Sequence, residues 1–122
     1  VHLTGYLADP WGALRALDVH VLASISTEGT PQALLQAQFA GCPVIGSQSG
    51  GIAEVITHGK TGLLVPQGDV QALSAALWRL LTDRQYAAFL ASNARAYVWQ
   101  HHTLDIMGQK ILTVYRALLD GR

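Results

Sequence analysis

The chain has 122 residues, which suits a single domain, and half of them are hydrophobic while 13% are charged. Eight Lys and Arg residues balance eight Asp and Glu residues, so the clustered positive charge of a nucleic-acid footprint is missing and we expect no nucleic-acid partner. Cys42 is the single cysteine, no apolar run approaches the ~18 residues of a membrane span, and no signal-peptide pattern is present. We therefore expect a reduced, cytoplasmic setting.

The elements predicted along the chain alternate between strand and helix. Short apolar, β-branched runs predict strands at about 1–6, 18–23, 43–46 and 63–65. Caps, apolar periodicity and turn signals predict helices at about 11–17, 31–40, 52–57, 70–81, 84–99 and 104–119. This order predicts an α/β fold with a parallel sheet and right-handed crossovers, and the region from about 69 onward is helical only.

The stretch from 24 to 37 reads as a polar loop that leads from a strand into a helix. Thr30 is a suitable N-cap, and Pro31 suits the first helical position because its missing N–H costs nothing there. The next free amides belong to Gln32 and Ala33, at a helix N-terminus that carries partial positive charge. Such an end, placed beyond the carboxyl end of a strand, predicts an anion site with phosphate as the usual occupant. Glu28 precedes this site, and a carboxylate beside an anion needs a partner of its own, such as sugar hydroxyls.

Three loops follow predicted strands and carry small or polar residues: the loop after Gly5, the loop at 24–30 and the loop at 46–51. Because ligands of parallel α/β sheets bind outside the carboxyl ends of the strands, we expect these loops to converge on one site. The pair Gly50 and Gly51 can be a plain turn, or it can let a ligand approach the backbone closely. Its position beside the Glu28 loop favours the second interpretation, although Glu28 itself can also be a solvated loop acid.

Three other motifs in the chain give weaker evidence for a function. His101 and His102 suggest a metal, but adjacent residues point apart on a helix and no third ligand is near, so we expect no metal. The sequence at 59–61 resembles the end of a phosphate loop, but position 54 is Glu54 where the Walker pattern requires glycine. The serines of the two polar loops lack the G-x-S-x-G context, so a hydrolase triad is unsupported.

An ordered series of motifs carries a family resemblance. The series is EGTPxxxxQA at 28–37, GxPV at 41–44, GGIxE at 50–54 and GxxGLLVxxGD at 59–69, preceded by DVxVLxS at 18–24. It covers nearly the whole chain and resembles the retaining glycosyltransferases of family four. The resemblance implies the GT-B fold, in which two Rossmann-like domains enclose the active site. Residues 1–122 then correspond to part of the C-terminal, nucleotide-sugar-binding domain, namely its second half.

The resemblance also implies an activity: a retaining transfer of a sugar from a nucleotide-diphosphate donor to an acceptor hydroxyl. It implies no resident cofactor and no metal, since the nucleotide sugar is a substrate. The chain opens on Val1 rather than Met, and we expect a fragment without the N-terminal domain that binds the acceptor glycan, lipid or small molecule. We expect no turnover from the fragment alone. A cut sheet edge favours a dimer, and a peripheral position at the inner face of the membrane stays open.

The site residues implied by the resemblance centre on Glu28, the catalytic residue expected to hydrogen-bond the transferred sugar. The second glutamate of the family's pair, which contacts the ribose, is Gln36 here. Gln keeps one acceptor but loses the charge-assisted hydrogen bond. The donor-binding set comprises Gly29, Thr30, Pro31, Gln32, Ala33, Gln36, Gly50 and Gly51. Two alternatives stay open: a non-catalytic nucleotide-sugar binding module, and another GT-B enzyme such as a sugar-nucleotide epimerase.

Overall fold

The computed structural model describes residues 1–121, in which strands alternate with helices up to residue 65 and only helices follow. In chain order the elements are α1 (Pro10–Ala16), β1 (His20–Leu22), α2 (Gln32–Ala40), β2 (Val44–Ser47), α3 (Ile52–Val55), β3 (Leu63–Val65), α4 (Val70–Thr82), α5 (Arg84–His101) and α6 (Leu104–Asp120). The predicted α/β organisation is confirmed, and so is the helical region that follows residue 69.

The three strands form one parallel sheet in the order β1-β2-β3. The register pairs His20 with Val44 and Leu22 with Gly46, and Gly46 in turn with Leu64. Because the strands are parallel, their carboxyl ends lie at the same edge of the sheet. The loops that follow β1 and β2 therefore start side by side.

The core lies on both faces of β2, whose four residues are all buried. One apolar cluster joins β2 to α2, α3 and Val98 of α5, and the second joins it to β3, α4 and the first half of α5. Such two-sided burial explains why β2 is an uninterrupted run without polar alternation at Val44 and Ile45. Leu34, Ile45, Ile52 and Leu90 are fully buried, and they hold α2, α3 and α5 against the sheet.

The ends of α4, α5 and α6 follow local capping chemistry. Asp69 Oδ1 accepts from the amide of Ala72 at 2.9 Å, which confirms the predicted cap of α4. Asp83 caps α5 and Thr103 caps α6 in the same manner. No residue of α6 is buried. Among residues 1–121, no helix combines the length and apolar character that crossing a bilayer demands.

The predicted first strand is wrong: residues 1–7 have no regular structure and are exposed. A strand is stable only when a neighbour accepts and donates its backbone hydrogen bonds, and no described segment pairs with these residues. The other boundaries differ from the prediction by at most two residues, and β3 matches it. The strand predicted at 18–23 contracts to His20–Leu22, and the helix predicted at 52–57 ends at Val55.

Self-association remains a prediction. Within the described residues β1 has β2 on one side and no strand on the other, and an unpaired edge is a template for another chain. We expect a dimer or a swapped assembly, measured by multi-angle light scattering over a series of concentrations. A monomeric mass at the highest concentration would contradict this expectation.

Candidate functional site

Two loops meet at the carboxyl edge of the sheet. The first runs from Ala23 to Thr30 between β1 and α2, and the second runs from Gln48 to Gly51 between β2 and α3. Two of the three predicted loops therefore lie side by side. The third predicted loop, after Gly5, does not follow a strand of this sheet, because the residues before it form no strand.

Hydrogen bonds from the second loop and β2 hold the backbone of the first loop. Ser47 Oγ donates to the carbonyl oxygen of Ser24 at 2.8 Å, and Ser49 Oγ donates to that of Ser26 at 2.6 Å. The amide of Gly51 donates to the carbonyl oxygen of Glu28 at 2.8 Å. Ser47 and Ser49 are buried, so these bonds are shielded from competing water. The backbone around Glu28 is consequently fixed by groups from the neighbouring strand and its loop.

The carboxylate of Glu28 is partly buried and is held by one hydroxyl. Ser24 Oγ donates to Glu28 Oε1 at 2.6 Å. In the described part of the chain, Glu28 makes no ion pair, and Oε2 accepts no hydrogen bond. One carboxylate oxygen is thus satisfied by the protein, while the other retains its full capacity to accept.

The N-terminus of α2 differs from the prediction by one residue. Pro31 has extended backbone angles, φ −79° and ψ 107°, and occupies the N-cap position without a side-chain hydrogen bond. Thr30 is therefore not the N-cap, because the extended conformation of Pro31 delays the helix to Gln32. The carbonyl of Pro31 accepts from the amides of Leu34 and Leu35 at 3.2 Å.

Gln32 and Ala33 are exposed residues, and no described group accepts from their backbone amides. They are two of the donors that every helix N-terminus leaves without an intrahelical partner. Their partial positive charge lies at the carboxyl edge of the sheet, where the loop that carries Glu28 leads into α2. Gln36 follows one turn later on α2 and is partly exposed. These features make this end of α2 chemically suited to an anion.

The glycine pair serves the contact between the two loops. Gly50 has φ +45°, and a Cβ there would collide with the carbonyl oxygen of Glu28. A Cβ on Gly51 would collide with the carbonyl oxygen of Gly29 and would lie 2.9 Å from the amide nitrogen of Thr30. The close approach of protein backbone therefore explains both glycines. Contact of either glycine with a donor stays a prediction.

Sequence reasoning missed Gln38, which is fully buried in α2. Its Nε2 donates to the carbonyl oxygens of Val55 at 3.1 Å and Thr61 at 3.3 Å. It thereby ties α2 to the end of α3 and to the turn before β3. The sequence did contain a signal: Gln38 lies three residues after Leu35 and four after Leu34, which puts a polar residue on the apolar face of the helix.

Packing explains the surroundings of His20, His101 and His102. His20 lies partly buried in β1, and burial lowers its pKa. The rings of His101 and His102 both lie against Tyr97, with centroids 4.6 and 5.5 Å away. In the chain up to residue 121, no three His, Cys, Asp or Glu side chains gather as a metal site would require.

Comparisons with known proteins identify the family to which the chain is similar. A family model described as glycosyl transferases group 1 matches residues 1–83. The amylovoran biosynthesis glycosyltransferase AmsK of Erwinia amylovora is 44% identical over 110 residues, which cover 86% of this chain and 27% of AmsK. The chain thus spans about a quarter of the length of this relative.

Comparison with solved structures also finds glycosyltransferases. The crystal structure of HepE from Anabaena in complex with UDP superposes with a TM-score of 0.83 at 28% identity, over 86% of this chain and 29% of HepE. The C-terminal domain of the group 1 glycosyl transferase LpcC from Francisella tularensis superposes with a TM-score of 0.74 at 29% identity, over 82% of this chain and 52% of that domain. The neighbours are GT-B glycosyltransferases, which confirms the predicted fold class. The chain belongs to the group 1 family of glycosyl transferases.

Proposed function

We propose that this chain supplies the donor-binding part of a retaining glycosyltransferase that moves a sugar from a nucleotide diphosphate to an acceptor hydroxyl. One observation carries the proposal: a braced loop whose carboxylate has one unused oxygen leads directly into a helix N-terminus with two unpaired amides. An anion and a polyhydroxylated group are the ligands that such an arrangement suits. HepE, which shares this fold, is described in complexes with UDP and with UDP-glucose.

The diphosphate binds at the N-terminus of α2 in this proposal. The amides of Gln32 and Ala33 donate to its oxygens, and the helix dipole favours its negative charge. Charge grows on the leaving diphosphate as the bond to the sugar breaks. Donors already in place at that position stabilise the transition state without reorganising. The same contacts therefore serve both binding and departure of the leaving group.

The sugar and the ribose contact side chains on either side of the diphosphate. Oε2 of Glu28 accepts from sugar hydroxyls, because Oε1 is already occupied by Ser24. The amide group of Gln36 contacts the ribose hydroxyls, with both donor and acceptor atoms available. Glu28 is the sole carboxylate within 23–31 and 48–51. We therefore propose same-face substitution rather than the paired carboxyl groups, about 5–5.5 Å apart, of retaining hydrolases.

In this proposal, the acceptor site lies in a region that corresponds to the part of the relatives not covered by this chain. This chain covers 27% of AmsK, a protein named for the biosynthesis of a glycan. We propose that the acceptor is a glycan, lipid or small molecule bound outside these residues, and that the donor needs no resident metal or cofactor. A non-catalytic module would bind the donor without releasing sugar to any acceptor, and an epimerase would invert a stereocentre of the donor sugar without an acceptor.

A thermal-shift screen of the complete protein tests the proposal. The ligands are uridine, guanosine and adenosine, their diphosphates, and the matching diphosphate sugars. We expect one diphosphate series to stabilise the protein, by about 2.7 kcal/mol when the ligand is at a hundred times its Kd. The nucleosides without phosphate serve as the control and should stabilise less. No shift with any diphosphate would contradict the proposal.

Gln36→Glu tests the ribose contact. A carboxylate accepts charge-assisted hydrogen bonds, so nucleoside affinity should rise by about 1 kcal/mol. Repulsion from the diphosphate should make the gain smaller for nucleoside diphosphate than for nucleoside. Calorimetric titration of both ligands measures the difference, with Gln71→Glu at an exposed position of α4 as the matched control. Equal affinities for wild type and Gln36→Glu with both ligands would place the ribose elsewhere.

A further inference from the structure

The short hydrogen bond between Ser24 and Glu28 assigns a role to a residue outside the predicted site. The distance from Ser24 Oγ to Glu28 Oε1 is 2.6 Å, within the range of a hydroxyl that donates to a carboxylate. We propose that Ser24 is a positioning residue: it fixes the Glu28 carboxylate so that Oε2 faces the hydroxyls of the donor sugar. This inference rests on the proposed function, because it specifies how that site selects its sugar.

Ser24 is itself anchored by the sheet. It follows β1 by two residues, and its carbonyl oxygen accepts from Ser47 Oγ at 2.8 Å. Ser47 ends β2, and its side chain is 2% exposed. A series of two hydrogen bonds therefore runs from the buried end of β2 through Ser24 to the carboxylate of Glu28. Only the second bond uses the side chain of Ser24, so the hydroxyl can be removed without disturbing the first.

The carboxylate needs this support because nothing else described restrains it. No cation contacts Glu28, and Ser24 provides its single side-chain hydrogen bond within residues 1–121. A glutamate side chain that is free in solution loses much rotamer entropy when a ligand orders it. A hydrogen bond already made in the unliganded protein removes part of that loss, which increases affinity for the sugar.

The competing explanation is that the Ser24 hydroxyl only braces the loop. Three hydrogen bonds that do not use this hydroxyl already hold the backbone of the loop: Ser47 Oγ to Ser24, Ser49 Oγ to Ser26, and the Gly51 amide to Glu28. All three remain when the hydroxyl of Ser24 is removed. The two explanations therefore predict different results: a brace affects all ligands and the stability of the fold, whereas positioning affects only the ligand that contacts Glu28.

The experiment measures Kd for a nucleoside diphosphate and for its intact diphosphate sugar in the complete protein, together with Tm. Ser24→Ala should weaken binding of the sugar nucleotide roughly tenfold, the size of one hydrogen bond to a charged group, and change diphosphate binding less than twofold. Ser24→Thr keeps the hydroxyl and should restore sugar-nucleotide affinity. Ser26→Ala is the matched control, because its side chain makes no described hydrogen bond.

A double-mutant cycle with Glu28→Ala separates the possible results. If Ser24 acts through Glu28, Ser24→Ala adds no loss to the Glu28→Ala background. A further loss there, an equal loss for both ligands, or wild-type affinity in Ser24→Ala would each overturn the positioning role. Glu28→Ala alone tests the proposed function: if it weakens sugar nucleotide and diphosphate equally, the sugar contact itself fails, whatever Ser24 does.

Discussion

Replacing Glu28 by Gln in the complete protein is expected to slow sugar transfer by about a hundredfold, while affinity for the nucleoside diphosphate changes less than twofold. The reason is that the two ligand groups use separate contacts. The diphosphate is assigned to the amides of Gln32 and Ala33, and the sugar to Oε2 of Glu28. A neutral amide accepts a weaker hydrogen bond than a carboxylate. The sugar then shifts relative to the acceptor, and displacement by about 1 Å costs on the order of a hundredfold in rate.

Paired titrations and a rate measurement check this prediction. The nucleoside diphosphate and the intact donor are titrated into wild type and Glu28→Gln, and transfer is measured at saturating donor. Asp105→Asn removes one charge at an exposed position in the first turn of α6 and should leave the rate unchanged. If Glu28 only braces the loop, Glu28→Gln will lower Tm and weaken both ligands equally, which would reject the sugar contact.

Gly51→Ala is expected to destabilise the fold by about 1–3 kcal/mol, the range of an overpacked interior position. Gly51 is buried, and the added Cβ would collide with the carbonyl oxygen of Gly29 and lie 2.6 Å from the Gly29 carbonyl carbon. Backbone atoms cannot rotate away as a flexible side chain does, so one of the two loops must move. The hydrogen bond from the Gly51 amide to the carbonyl of Glu28 should then lengthen or break.

The displacement should also reach the ligand site. The backbone that Gly51 touches leads directly into Pro31 and the first amides of α2, so we expect nucleoside-diphosphate affinity to fall roughly tenfold. Urea unfolding measures the stability, and calorimetry measures the affinity. Gly29→Ala is the matched control for stability, because a Cβ there meets no atom within 4 Å and should change it by less than about 0.5 kcal/mol. Wild-type stability of Gly51→Ala would show that the loops separate without cost.

Features that depend on near neighbours in the chain could be predicted from the amino-acid sequence alone. The caps at Asp69, Asp83 and Thr103 act within three residues, so the helices after residue 69 were predicted to within two residues. Apolar β-branched runs predicted β1, β2 and β3, and alternation of strands with helices predicted a parallel sheet. The unpaired amides of Gln32 and Ala33 were predicted because Pro31 stands just before them, although the helix starts one residue later.

Features that depend on the pairing of distant segments could not be predicted without the folded structure. Residues 1–6 carry a strand pattern but form no strand, because a pattern supplies no partner for backbone hydrogen bonds. Positions 50 and 51 require glycine because a Cβ there would collide with the backbone of Glu28 and Gly29, more than twenty residues earlier. The bond from Ser47 to Ser24 exists because the parallel register brings the ends of β1 and β2 together. The register is set by the packing of the whole sheet against its helices, so it cannot be predicted from the local positions of the serines.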